Sequence, residues 1–293
     1  MPSFFLFPIF TAPNKIGKGS DYRSHHKRIR CTMKIRLNRE QKVYFVSDFH
    51  LGTPDDDASR KREEKIVRWL GEIEEQAAAI FFVGDIFDFW FEYDKVIPKG
   101  FLRFLSKITA MRDKGIPLFF FTGNHDLWMK DYFTEELDIP VYHNPLSMEI
   151  NSKRFLVGHG DGLGPGDRKY KLLKKLFSNR TCQWLFKWIH PDIGISLAHA
   201  WSKNSRISND LKNENEFKGK ENEWLYQYCL DIEKKMHFDY YVFGHRHLPL
   251  NLPLNDKSTY FNLGEWVNQC YYGEFDGITF HLRQYNGYAI NNN

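Results

Sequence analysis

The chain has 293 residues, 42% hydrophobic and 17% aromatic, enough for a packed core and too apolar for a disordered chain. No run of about 18 apolar residues is present, so a membrane-spanning helix is not expected. The net charge of +4 is concentrated: residues 1–32 hold six Lys/Arg against Asp21, and residues 166–190 hold seven against Asp167, a distribution unlike the spread face of a generic nucleic-acid binder.

Residues 1–32 open on an apolar run from Phe4 to Phe10 that includes Pro8 and has no basic residue ahead of it, a weak match to a secretory signal. With Met33 directly before the strand pattern, the segment is expected to be a disordered extension or a mis-assigned start, a basic membrane-contact tail being the rival. VYFVSD (43–48), AIFFVGD (79–85) and PLFFFTGNHD (117–126) read as buried strands, with helical stretches over 58–77 and 98–114 between them. SMEI (147–150) and RFLVGHGD (154–161) suggest a hairpin around Asn151–Lys153. A helix-rich interval follows, and YYVFGHRH (240–247), TYFNLGEW (259–266) and GITFHLRQY (277–285) return to strand.

Near-continuous apolar strands alternating with helices imply a buried sheet covered by helices. The expected fold is α/β, two mixed β-sheets flanked by helices. Residues 33–165 and 237–293 form its core and 166–236 a helical cap insertion. The four cysteines, Cys31, Cys182, Cys229 and Cys270, form no CxxC pair, which speaks against a zinc ribbon or disulfide scaffold and for a reducing compartment.

Five strand ends finish in polar clusters: Asp48-Phe49-His50, Gly84-Asp85, Gly123-Asn124-His125-Asp126, Gly158-His159-Gly160-Asp161 and Gly244-His245-Arg246-His247. Strand C-terminal ends are where open α/β sheets build their sites. Oxygen and imidazole donors without thiolate suit Mn²⁺, Fe²⁺, Zn²⁺ or similar ions. Any one cluster alone would be commonplace; five in this order are not.

The order D-x-H, G-D, G-N-H-D, G-H, G-H-x-H resembles the calcineurin-like metallophosphoesterase superfamily over residues 43–283. The resemblance implies a site for two divalent ions, Mn²⁺ first, with Mg²⁺, Fe²⁺ and Zn²⁺ compatible. Asp48, His50 and His247 would hold one, Asp85 would bridge, and Asn124, His159 and His245 would hold the other. Two such ions generate a hydroxide that attacks phosphorus in line. His125 would stabilise the transition state or act as general acid, with Asp126 fixing its tautomer. Asp88, in GDIFDFW, would orient neighbouring groups.

GDIFDFW, HGDGLGPGDRKY, GHRHLP and LGEW further resemble the UDP-2,3-diacylglucosamine pyrophosphohydrolases of lipid A synthesis. That resemblance implies hydrolysis of a nucleotide-activated lipid to UMP and 2,3-diacylglucosamine 1-phosphate, beneath a helical lid. The gap from His159 to His245 is 86 residues, against 35 to 39 between the earlier motifs. Within it, Leu172/Leu176, Leu173/Phe177, Trp184/Trp188 and Leu185/Ile189 fall at i,i+4, with Lys171, Lys174 and Lys175 off the stripe. A basic amphipathic helix with tryptophans suits an anionic membrane surface, and ordinary packing of two cap helices explains the stripe equally well. The expected location is cytoplasmic, peripheral on the inner face of the inner membrane.

By position, Asp167, Ser202, Lys203 and Arg206 would contact substrate, together with Asn124 and His245. One position departs from the resemblance, since the better-known members carry Arg where this chain has His125. The rivals are a soluble nucleotide phosphodiesterase or dinucleoside polyphosphate hydrolase, a nuclease and a metal-free scaffold. The acidic balance around the motifs disfavours the nuclease, the seven matched ligand positions disfavour the scaffold, and no obligate protein partner is evident.

Overall fold

The computed structural model describes residues 33–164, 168–198, 200 and 216–286. The expected N-terminal extension lies outside the described residues. In chain order the strands are β1 (Met33–Ile35), β2 (Lys42–Val46), β3 (Ala77–Val83), β4 (Leu118–Phe121), β5 (Val141–Tyr142), β6 (Leu146–Ile150), β7 (Lys153–Gly158), β8 (Tyr240–Phe243), β9 (Pro249–Pro253), β10 (Thr259–Leu263), β11 (Tyr271–Phe275) and β12 (Phe280–Gln284). The helices are α1 (Asp56–Ile73), α2 (Leu102–Asp113), α3 (Tyr132–Leu137), α4 (Arg168–Phe177), α5 (Arg180–Lys187), a stretch over 191–198 (α6) and α7 (Trp224–Glu233).

Two six-stranded mixed sheets face each other, in the orders β1-β6-β7-β8-β10-β9 and β12-β11-β2-β3-β4-β5. Strands β2, β3, β4 and β5 are mutually parallel, and β11 joins β2 antiparallel. Side chains of a strand alternate between its two faces, so β2 sends Val43 and Phe45 into the layer between the sheets and Tyr44 and Val46 toward the helices. In the inner layer Phe45 stacks on Phe81 at 5.0 Å and reaches Phe155 of the opposite sheet at 5.8 Å. Both faces of the central strands are buried, which is why their sequences read as unbroken apolar runs.

Helices α1 and α2 cover the outer face of the second sheet. Asp55 caps α1 by accepting from the Ala58 N–H at 2.8 Å, and Asp56 and Asp57 follow in the first turn, the sign its dipole favours. Ile66, Trp69, Leu70 and Ile73 then enter the core. On the outer face of the first sheet, α7 packs Leu225, Tyr226 and Cys229 on Tyr241, Phe243 and Tyr260. This helix falls within 166–236, yet it packs as part of the sheet's covering layer.

Five short elements were not expected from sequence: β1, α3, β5, β9 and β11. Strand β9 begins and ends with proline. It lies at a sheet edge, where a missing N–H leaves no ladder bond unmade.

At the end of α7, Glu233 accepts from Tyr241 Oη (2.6 Å), Ser258 Oγ (2.9 Å) and the Phe238 N–H (3.1 Å), and pairs with His237 Nδ1 (2.7 Å). Burial pushes its carboxyl up, but these partners pull it down from 4.5 to about 2. A depressed carboxyl stabilises the fold above its unfolded value and loses that contribution as pH falls toward 2. Glu233→Gln is therefore expected to lower stability at pH 7 by about 2 kcal/mol. The gap from wild type should close between pH 4.5 and 2, as read by urea unfolding at stepped pH.

Candidate metal centre

The chemistry-bearing residues leave the C-terminal ends of β2, β3, β4, β7 and β8 and converge on one rim. The loops turn so sharply that Asp48, His50, Asp85, His245 and His247 all take positive φ, between 45° and 71°. Such left-handed backbone is costly for non-glycine residues and persists where the surroundings over-determine it. Here the loops hydrogen-bond one another: Asp48 N–H to Gly84 O, His50 N–H to Asp85 O and Gly244 N–H to His159 O, each at 3.0 Å. Arg62 of α1 donates to the carbonyls of His50 and Thr53, fixing the first loop from below.

Three groups of side chains offer ligand atoms within 4.8 Å of one another: Asp48/His50/His247, Asp85/His159/His245 and His50/Asp88/His125. In the first, His247 Nε2 lies 3.2 Å from Asp48 Oδ1 and 3.0 Å from His50 Nε2. In the second, His159 Nε2 is 3.2 Å from Asp85 Oδ2 and 3.4 Å from Asn124 Oδ1. His159 Nδ1 donates to the Val83 carbonyl at 2.9 Å, which leaves Nε2 as the atom turned to the site. Asp85 joins the groups: Oδ2 is 3.9 Å from His50 Nε2, and Oδ1 accepts the His125 N–H at 2.9 Å. Gly123 leaves the space for that carboxylate, since a Cβ there would overlap Asp85 Oδ1.

Asp48, Asp85, His50 and His159 are all buried. Burial alone would push both carboxyls up and both imidazoles down. Their mutual contacts reverse this, holding Asp48 and Asp85 below the usual carboxylate range and raising His50 and His159 to about 10. Burial, reinforced by the His159 charge, pushes His245 down to about 3. Buried carboxylates that keep neighbouring imidazoles protonated mark a place whose field favours cations, and a divalent ion would take over that role. The donor set of carboxylate, imidazole and amide oxygen fits such ions.

The structure brings seven of the expected ligand positions onto this rim: Asp48, His50, Asp85, Asn124, His159, His245 and His247. His125 also lies there, its ring 4.8 Å from that of His50. The partner expected for it is corrected. Asp126 is fully buried and accepts backbone N–H groups of Gly123 (2.7 Å), Ile86 (2.8 Å) and Asp85 (3.3 Å). Its carboxylate thus splints the β3 and β4 loops, and burial near Asp85 raises it to about 7. The His125 ring instead meets Asp88, with Nδ1 3.0 Å from the carbonyl and 3.6 Å from Oδ1. Asp88 Oδ1 also lies 3.7 Å from His50 Nδ1, so one side chain adjoins both rings.

Asp167, Ser202, Lys203 and Arg206 lie outside the described residues. Sequence reasoning assigned no role to the ion pairs Lys174–Asp161 (2.6 Å) and Arg246–Glu223 (3.1 Å). Asp161 and Arg246 stood in the fourth and fifth polar clusters and Lys174 off the apolar stripe, whereas Glu223 carried no signal.

Gly123→Ala tests how tightly Asp85 is held. A methyl group there must displace the carboxylate, so divalent-ion affinity is expected to fall at least tenfold by calorimetric titration. The same Cβ would come within 2.7 Å of the Asp85 backbone nitrogen, so the melting temperature of the ion-free protein is expected to fall as well.

Residues 41–249 match the calcineurin-like phosphoesterase family. The chain is 36% identical over 249 residues to a UDP-2,3-diacylglucosamine hydrolase of Porphyromonas gingivalis, covering 81% of this chain and 95% of that one. The enzyme of that name from Photorhabdus laumondii is 27% identical, covering 77% and 91%. For the one from Vibrio parahaemolyticus the figures are 25%, 77% and 90%. A donor set for divalent cations on a two-sheet α/β sandwich and a family match across most of the chain lead to one conclusion: the chain belongs to the calcineurin-like phosphoesterases and is a metal-dependent hydrolase.

Proposed function

We propose that the protein hydrolyses the pyrophosphate bond of UDP-2,3-diacylglucosamine, releasing UMP and 2,3-diacylglucosamine 1-phosphate for lipid A synthesis. The relatives bearing that activity in their names support the reading. The observation that carries it is the apolar surface set on the helices beside a polar phosphoryl site.

Among the described residues, helices α4 and α5 dock by one side. Phe177 and Phe186 pack on Trp128 at 5.6 and 4.8 Å, Phe186 also meets Phe91 at 4.8 Å, and Trp128 Nε1 donates to the Phe177 carbonyl. Trp128 and Phe91 belong to the loops that carry His125 and Asp88, so the cap is seated against the rim of the site. Its other side leaves Leu172 (71% exposed), Leu176, Trp184, Leu185, Trp188 (75%), Ile193 and Leu197 uncovered. A monomer that only needed to pack two helices would not leave that much apolar surface in one region. Acyl chains and a lipid surface are occupants of the right chemistry, each buried CH₂ contributing about 0.8 kcal/mol. Lys175 and Arg180 on the same helices suit an anionic membrane, and no described helix is long and apolar enough to cross one.

In this reading Asp48, His50 and His247 hold one divalent ion, Asn124, His159 and His245 the other, and Asp85 serves both. Mn²⁺ is the ion proposed. When bound, such ions supply Lewis acidity and acidify water near neutral pH. The oxygen of water adds to the uridylyl phosphorus while the bond from that phosphorus to the bridging oxygen breaks. The bridging oxygen leaves on the sugar 1-phosphate and takes up a proton. His125, its Nδ1 3.0 Å from the Asp88 carbonyl, would direct its ring at the phosphoryl or leaving oxygen, while Asp88 keeps the His50 and His125 rings in register.

The test is turnover of UDP-2,3-diacylglucosamine with Mn²⁺, beside UDP-N-acetylglucosamine, with Asp85→Ala as control. Selective loss of the diacylated substrate is expected, and Asp85→Ala should cost about 10³-fold or more. Equal turnover of the unacylated nucleotide would refute the lipid substrate. For the surface, Trp184→Ser/Trp188→Ser is expected to lower sedimentation with anionic phospholipid vesicles several-fold while leaving binding of divalent ions intact.

A further inference from the structure

The insertion is fastened to the rim at both of its ends by ion pairs. At its entry, Lys174 of α4 lies 2.6 Å from Asp161 Oδ2 and donates to the Asp161 carbonyl at 3.1 Å. Lys171, one turn earlier, donates to the Gly164 carbonyl at 2.6 Å. Asp161 is two residues beyond His159 and buried. At the exit, Glu223, just ahead of α7, accepts from Arg246 Nε with both carboxylate oxygens at 3.2 and 3.1 Å. Glu223 is buried, and Arg246 stands between His245 and His247. The next residue, Trp224, sets its ring edge-on to His245 at 5.6 Å. The two ends also touch, since a Cβ on Gly164 would come within 2.5 Å of the Trp224 carbonyl oxygen.

These contacts are unevenly shared between the two ligand groups. The entry clamp ends on the loop of His159, in the Asp85/His159/His245 group, whereas the exit clamp ends on the loop that carries both His245 and His247, one ligand of each group. Asp48 of the other group accepts the His245 N–H at 3.0 Å, and His50 is held by Arg62 and Asp88. We infer that Lys174 and Glu223 are positioning residues by which the insertion sets cation affinity, Lys174 acting through Asp161 on the Asp85/His159/His245 site and Glu223 through Arg246 on a ligand of each site, so that the seating of the cap and occupancy of the centre are coupled. The inference rests on the two-cation reading above. A ligand imidazole whose loop is free to drift loses the alignment that makes it a ligand, and loss of an outer partner commonly costs about 10- to 100-fold in metal affinity.

The experiment is a calorimetric Mn²⁺ titration of ion-free full-length protein. Wild type is expected to take up two equivalents. Lys174→Met, which removes a partly exposed charge and keeps the stem, is expected to retain one equivalent at wild-type affinity and weaken the other about 10-fold or more. Lys174→Arg should restore it. Glu223→Gln, which loosens the loop carrying His245 and His247 together, is expected to weaken both equivalents, and it gives a second reading should Lys174→Met fold poorly. Lys153→Met breaks the distant Lys153–Asp239 pair and should change neither equivalent. Two equivalents of unchanged affinity in the folded Lys174→Met protein would overturn the coupling. A single equivalent in wild type would instead overturn the two-cation reading itself.

Discussion

A buried carboxylate without a strong partner is among the costliest groups a fold can hold, and Asp85 sits where that cost organises everything nearby. It leaves the end of β3, in the middle of the second sheet, and is buried. One oxygen takes the His125 N–H and the other faces His159, with His50 at the edge of range. Its own carbonyl receives the His50 N–H, and its own N–H is directed at Asp126. A change at Asp85 therefore reaches four of the five rim loops at once.

The rest of the rim is the scaffolding that such a charge demands. Asp126 gathers the N–H groups of two loops, Arg62 gathers carbonyls of a third, and five left-handed residues accept backbone strain to aim their side chains inward. None of this would be stable on a loose sheet. The stacked phenylalanines between the sheets, Phe45, Phe81 and Phe155 among them, keep the strand ends from shifting relative to one another. Core and site are thus successive layers of one construction, the apolar layer fixing strand ends and the strand ends fixing charges.

That layering explains what could be read from the sequence. The central strands were legible because burial on both faces leaves unbroken apolar runs, and the motif residues because a strand that stops at the rim must change abruptly from phenylalanine and valine to aspartate and histidine. Several short strands were not: β9 begins and ends with proline, β11, between β12 and β2, holds Gly273, and β1 has three residues, so none carries a pattern of its own. The partner of His125 was misread for a geometric reason. Asp126 is its neighbour along the chain, but in so tight a turn adjacent side chains diverge, and the imidazole meets Asp88, thirty-seven positions earlier. Proximity in sequence is a poor guide at a rim assembled from five loops.

The cap presents the opposite problem. Its i,i+4 spacing shows that an apolar face exists, and spacing alone cannot say whether that face is packed or open. The structure divides it. Phe177 and Phe186 turn inward onto Trp128, while Leu172, Trp184 and Trp188 remain in the open. Because the inward aromatics rest on loops that also carry His125 and Asp88, whatever covers the outward face acts on helices seated against the site. A helix pair built this way has an apolar demand on one side and, through Lys174 of α4, a charged anchor to the rim. The physical constraint on its occupant follows: the molecule must satisfy an apolar surface and a phosphoryl-binding rim together, which a soluble nucleotide does not do and an acylated nucleotide does.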